Sequence, residues 1–158
     1  MKIEGGIQVI EQNWKWIQGC SVAEINALEE TIGQSLPTDY KLLLSRIGKE
    51  VDGFMTGSLF YYDSLLAMQE HGRALVKKNV HFPKALDENC FVFWFHQGYS
   101  ILFFKLNEGA NPPIYFYTET EDGESLVEWQ DFKKVSDTLS DCLWEEVKAH
   151  LSTEKRIK

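Results

Sequence analysis

The sequence predicts one α+β domain, an antiparallel-rich mixed sheet with helices packed mainly on one face. Three stretches carry that reading. Residues 21–48 show helical apolar spacing broken by a sharp corner, residues 90–118 cluster aromatic and branched runs, and residues after 128 return to helical spacing. Helices, then clustered strands, then a helix is the order of an α+β fold. A chain of 158 residues supplies one real core and is short for two. Apolar content of 44% with 13% aromatic residues excludes a disordered chain.

In chain order, Ile7, Ile10, Trp14 and Ile17 lie at helical spacing, so a short helix over 7–18 is predicted, with Gly19 as its end. Ser21 followed by Glu24 is a capping-box pattern. It starts a helix with Val22, Ile25, Leu28 and Ile32 on its apolar side. Gly33 can take the left-handed conformation that ends a helix. Leu36-Pro37 then opens a second helix, with Pro37 in the first turn and Asp39 favoured there by the helix dipole. Tyr40, Leu43, Leu44 and Ile47 make one apolar stripe, and Gly48 ends it. Gly53 and Gly57 break periodicity, and Ser58 to Tyr62 reads as a short strand. Asp63 caps a helix to about Lys78, with Gly72 its weak point. Residues 79–88 are a loop.

The sheet follows. Cys90–His96 and Tyr99–Leu106 flank Gln97-Gly98, a two-residue hairpin turn. In that register His96 faces Tyr99, Trp94 faces Ile101 and Val92 faces Phe103. The opposite face, Phe91, Phe93, Phe95, Ser100, Leu102 and Phe104, is the one the helices should cover. Ile114–Thr118 is a third strand. Glu128 or Asp131 leads into a last helix with Phe132, Val135, Leu139, Leu143, Trp144 and Val147, and residues 152–158 are a frayed tail. No repeat or linker divides the chain, so 1–158 is read as a single domain with a core at about 21–151.

Leu28-Glu29, Gly33, Leu36-Pro37, Asp39-Tyr40-Lys41, Leu44 and Gly48 together resemble the signature of the SUKH superfamily. That superfamily includes the yeast Smi–Knr cell-wall regulator and many bacterial immunity proteins. Near the C-terminus, Val135-Ser136-Asp137-Thr138-Leu139 and Leu143 resemble its closing helix. Leu43, Leu139 and Cys142 stand where the family favours phenylalanine, Thr138 where it favours serine, and Ile47 where asparagine often precedes the glycine. The resemblance implies a SUKH-like fold over about 21–151.

Composition narrows the function classes. No apolar run approaches the roughly 20 residues that cross a bilayer, and the N-terminus lacks the apolar core of a secretory signal. Cys20, Cys90 and Cys142 are an odd number with no C-x-x-C pair, which reads as reduced thiols in a cytoplasmic protein. The formal charge is −8; residues 1–80 carry 8 Lys/Arg against 10 Asp/Glu, and residues 81–158 carry 8 against 14. An acidic domain is a poor binder of nucleic acid. It suits a basic protein partner, although solubility alone also explains such a charge.

Catalytic motifs are missing. There is no phosphate loop, dinucleotide fingerprint or nucleophile elbow. His71, His81, His96 and His150 show no metal-ligand spacing. His96, at the hairpin end, reads as a turn histidine before it reads as a base, having no nucleophile or carboxylate beside it in sequence. Glu119, Glu121, Asp122 and Glu124 do not have the spacing of an EF-hand loop. No catalytic, cofactor or metal site is expected.

Two binding candidates remain. One is the sheet face bearing Trp94, His96, Tyr99, Tyr115 and Tyr117, since amphipathic aromatics favour interface centres; the competing reading is that another segment covers this face. The other is the acidic segment with Glu119, Glu121, Asp122, Glu124, Glu128 and Asp131 and no Lys or Arg. The resemblance implies a non-enzymatic immunity protein that occludes a bacterial toxin, one aimed at nucleic acids and therefore basic. Its alternative is a regulatory protein-binding scaffold like the yeast relative. Neither reading involves nucleic acid or membrane as partner, and both fit a monomer or weak homodimer.

Overall fold

The computed structural model describes residues 2–119 and 130–157, with side chains as far as Thr153. Among the described residues the order is α1 (Ile3–Asn13), β1 (Lys15–Gln18), α2 (Val22–Ile32), α3 (Thr38–Ile47), β2 (Glu50–Asp52), β3 (Ser58–Leu59), α4 (Tyr62–Lys77), β4 (Cys90–His96), β5 (Ser100–Lys105), β6 (Ile114–Thr118), β7 (Lys133–Ser136) and α5 (Leu139–Ile157). This is the α+β fold the sequence predicts.

The helix–corner–helix stretch forms as read. Ser21 Oγ accepts the Glu24 N–H while Glu24 reaches back to the Ser21 N–H, closing the capping box. Gly33 sits at φ 75° and ends α2. In the corner, Glu29 Oε2 accepts the Leu36 N–H at 2.7 Å. Pro37 lies just before α3, one position ahead of the predicted first turn, and Tyr40, Leu43, Leu44 and Ile47 are buried. Val22 is the exception on α2. It is 74% exposed.

The N-terminal expectation fails in an instructive way. The helix starts at Ile3, stops at Asn13, and the chain becomes strand at 15–18, paired with β2. Gly19 does not end a helix; it permits a close approach. A Cβ there would lie 1.9 Å from the Ser45 carbonyl oxygen. The chain thus runs across the end of α3, where the Cys20 N–H donates to the Leu44 carbonyl at 2.8 Å. Gly6 works similarly: α1 packs on α5, and a Cβ at Gly6 would sit 2.9 Å from Leu143 Cδ2.

The main sheet has the order β3-β4-β5-β6-β7, and every pairing is antiparallel. The expected mixed character is therefore corrected: among the described strands no parallel pair forms. Ser58–Leu59 is shorter than the predicted strand, and β2 was not foreseen. Asp63 lies in the first turn of α4 and Tyr61 takes the cap position. Gly72 does not weaken α4. It lets the helix lie against the sheet, since a Cβ would fall 2.9 Å from Val92 Cγ2.

The hairpin register is also corrected. The loop has three residues, with Gln97 at φ 50° and Gly98 at φ 80°, and His96 pairs with Ser100. Trp94 pairs with Leu102, yet Val92 pairs with Phe103 as predicted, because a bulge between Val92 and Trp94 absorbs the extra residue. On one face Tyr40 packs edge-on against Phe91, Phe93 and Phe104, with α1, α3 and α5 behind. On the other, α4 and the 79–88 loop cover Val92, Phe95 and Tyr117.

The chain after the undescribed segment differs from expectation too. Lys133–Ser136 pairs with β6 as a strand, and Phe132 packs into the second face, 4.8 Å between centroids from Phe103. The closing helix begins only at Leu139, where Thr138 Oγ1 accepts the Asp141 N–H. It continues to Ile157, so the predicted tail from 152 is helical.

Candidate functional site

The bulge divides the predicted aromatic patch. A cross-strand pair shares a face, so Trp94 and His96 fall with Leu102 and Ser100 on the side of α3 and α5. Tyr115 and Tyr117 pair with Phe103 and Ile101 and fall on the opposite side. The five aromatics do not form one surface.

Each has its own setting. The Trp94 and His96 rings stack, centroids 5.4 Å apart and 2° from parallel, and both are half-buried. Tyr99 is exposed in the hairpin loop, its ring edge-on to His96 at 6.0 Å. Tyr115 donates its hydroxyl to the Glu108 carboxylate at 2.9 Å and lies under Lys105 Nζ at 4.7 Å from its centroid. Burial, then Glu108, pushes its phenol up to about 12. Tyr117 is 1% exposed; its hydroxyl accepts from Asn79 Nδ2 at 3.1 Å and its ring meets Phe82 edge-on. It is a core residue, not a surface anchor, because the 79–88 loop folds over it.

The acidic patch also changes. Glu119 has a 7% exposed side chain 3.2 Å from Lys78 Nζ, and its N–H donates to the Tyr99 carbonyl at 2.9 Å. It extends the β5–β6 ladder by one bond at the hairpin end. Glu121, Asp122, Glu124 and Glu128 lie outside the described residues, while Asp131 is exposed and accepts the Phe132 N–H.

Folding brings a hydroxyl and a carboxylate to His96 that its sequence neighbours lack. Ser58, its cross-strand partner on β3, has Oγ 2.8 Å from His96 Nδ1. Burial raises the Glu146 carboxyl on α5, a rise that His150 and, less, His96 oppose. The cavity Glu146 lines, with Phe54, Phe60, Phe93 and Leu102, is about 20 Å³. That is room for roughly one water molecule and no substrate. Neither Ser58 nor His96 lines this cavity, and their contact bridges two neighbouring strands. Among the described residues no cluster of His, Cys, Asp and Glu has the geometry to hold a metal ion.

Two further surface features stand out. An open groove of about 550 Å³ between α2 and α4 is lined by Thr31, Ile32, Leu66, Gln69, Glu70 and Arg73. Trp16, on β1, is 77% exposed with φ 55°. Sequence reasoning missed it by placing it in a helix. The signal was there, since residues two apart on a helix point to nearly opposite sides. With Trp14 buried, a helix would have turned Trp16 to water; in a regular strand residues two apart share a face, and Trp16 reaches water at a left-handed backbone position.

No helix of the described residues is long and apolar enough to cross a membrane. A model of the SMI1 / KNR4 family (SUKH-1) matches residues 19–137, from the foot of β1 to the turn before α5. No curated protein matches the chain.

Proposed function

The chain belongs to the SMI1 / KNR4 family (SUKH-1), and from that premise we propose that it is a non-enzymatic immunity protein acting in the cytoplasm. It binds a toxin domain and blocks that domain's active site or substrate path. The family match over three quarters of the chain carries this reading. The half-buried Trp94–His96 stack, the α2–α4 groove and the exposed Trp16 supply faces for a protein partner. A formal charge of −8 favours a basic partner, as expected of a toxin that grips nucleic acid. Three buried free thiols, Cys20, Cys90 and Cys142, support a reducing compartment.

The test is co-expression with the toxin domain encoded beside this gene. Protection of the host cell, with a stoichiometric complex on purification, is the expected result. Protection without a complex, or turnover of the toxin's substrate by this protein alone, would replace occlusion with enzymatic rescue. If the neighbouring gene encodes no toxin and a host regulator co-purifies, the regulatory-scaffold reading takes its place.

A further inference from the structure

We propose that the β1–β2 ribbon is a docking surface anchored by Trp16, whose occupant is an arginine-bearing segment of a protein partner. This deepens the reading above and rests on it only for the partner being a protein. The ribbon pairs Lys15 with Asp52 and Gln18 with Glu50, with an irregular register between them that leaves one extra residue on β1. The left-handed position at such a bulge is one that glycine fills without cost and a bulky side chain fills with strain. Here it holds a tryptophan, at φ 55°, with most of its surface in water. The exposed indole buries little surface, and the left-handed backbone carries strain. Trp14, two residues earlier, is the one the core uses, edge-on to Phe54 at 5.2 Å.

Charge commits the occupant. Glu50 and Asp52 are exposed on the partner strand, and among the described residues neither carboxylate forms an ion pair. The other nearby cations are engaged: Lys49 with Glu24 at 3.0 Å, and Arg46 with Glu11. Lys15 alone opposes two carboxylates. A guanidinium is planar, so it can lie on an indole face while its N–H groups reach a carboxylate. Lysine makes the first contact less well and the second as a point charge.

The test needs no identified partner. A nona-arginine peptide is titrated into the full chain at low salt while the tryptophan indole N–H resonances are followed. The Trp16 signal, assigned by its loss in Trp16→Asn, should move and saturate at peptide concentrations that leave Trp94 and Trp144 unmoved. Joint Glu50→Gln and Asp52→Asn should weaken that binding about tenfold, and nona-lysine should bind more weakly than nona-arginine. Asparagine tolerates the left-handed region, so Trp16→Asn folds. A Trp16 signal that stays still, or moves only together with all the others, overturns the proposal. With a toxin domain in hand, Trp16→Asn should raise its Kd at least about thirtyfold, and Val80→Asn, at an equally exposed apolar site, should leave it unchanged. A toxin complex indifferent to Trp16→Asn overturns the ribbon and leaves the immunity reading standing. Peptide binding at Trp16 without any toxin protection does the reverse.

Discussion

Two ribbons in this molecule carry a tryptophan at or beside a bulge, and the two side chains end in opposite environments. In the β4–β5 hairpin the bulge after Val92 turns Trp94 toward α5, where it stacks on His96 and packs against the core. In the β1–β2 ribbon the irregularity holds Trp16 out in water. The difference is cover. The hairpin is flanked by β3 and β6 and roofed on both faces. The ribbon has two strands, packs on α3, and leaves Lys15, Trp16, Gln18, Glu50 and Asp52 exposed. A bulge re-aims a side chain, and the surrounding layers decide whether the new direction is core or surface.

The largest effects should come from the covered side. Leu44→Ala or Tyr40→Ala, under the Phe91–Phe104 face, should cost roughly 2–5 kcal/mol in denaturant unfolding. An unchanged midpoint would mean α3 does not bear on the sheet. Trp94→Ala should cost about 2 kcal/mol, less than a full core aromatic because it is half-buried; a value near zero would place both tryptophans in the same class and break the comparison. Gly72→Ala should cost about 1–2 kcal/mol, since Val92 must shift to admit the methyl group. Thermal melts of the variant with Val92→Ala alongside should recover part of that loss.

Smaller effects should distinguish the feet of the two ribbons. Cys20 follows β1 and Cys90 opens β4; burial pushes both thiols up to about 11, and Cys142 to about 12. Below the ordinary value of 9.0 the thiols are protonated in folded and unfolded chains alike, so they add no pH dependence. Above it the unfolded chain loses protons that the folded one keeps, so stability should fall as pH rises from 9.0. At pH 8 a thiol reagent should modify Cys20 and Cys90 at least about tenfold more slowly than in unfolded protein. Fast labelling of Cys20 alone would show that the two-stranded ribbon opens where the hairpin does not. Least of all, Trp16→Asn should change folding stability by no more than about 0.5 kcal/mol unless it stabilises, through relief of the left-handed strain. A loss above 2 kcal/mol would make Trp16 structural.

The legible parts of the candidate site were those set by composition, and the illegible ones those set by register. Aromatic strands at 90–96 and 114–118 could be read directly. Their division between two faces could not, because one extra residue in the hairpin loop is cancelled by one in the bulge between Val92 and Trp94, and nothing local in the run 90–96 marks where alternation breaks. Tyr117 and Glu119 read as surface residues in sequence, and groups distant in sequence, the 79–88 loop, Phe132 and Lys78, cover them. Ser58 reaches His96 across 38 positions for the same reason.

By itself the sequence determined the elements whose cause is local. The Ser21–Glu24 box, the left-handed Gly33, the Tyr40–Ile47 stripe and the apolar run of β4 each carry their own spacing or backbone rule, and all four formed as written. Tertiary structure decided what depends on a neighbour. Gly19 and Gly72 read as breakers, and both proved to be contact points where a second backbone or side chain comes within 3 Å of the missing Cβ. Residues 15–18 and 133–136 became strands because β2 and β6 were there to pair with them. Backbone groups on such short segments gain hydrogen bonds only from a partner strand, and no local pattern records where that partner lies.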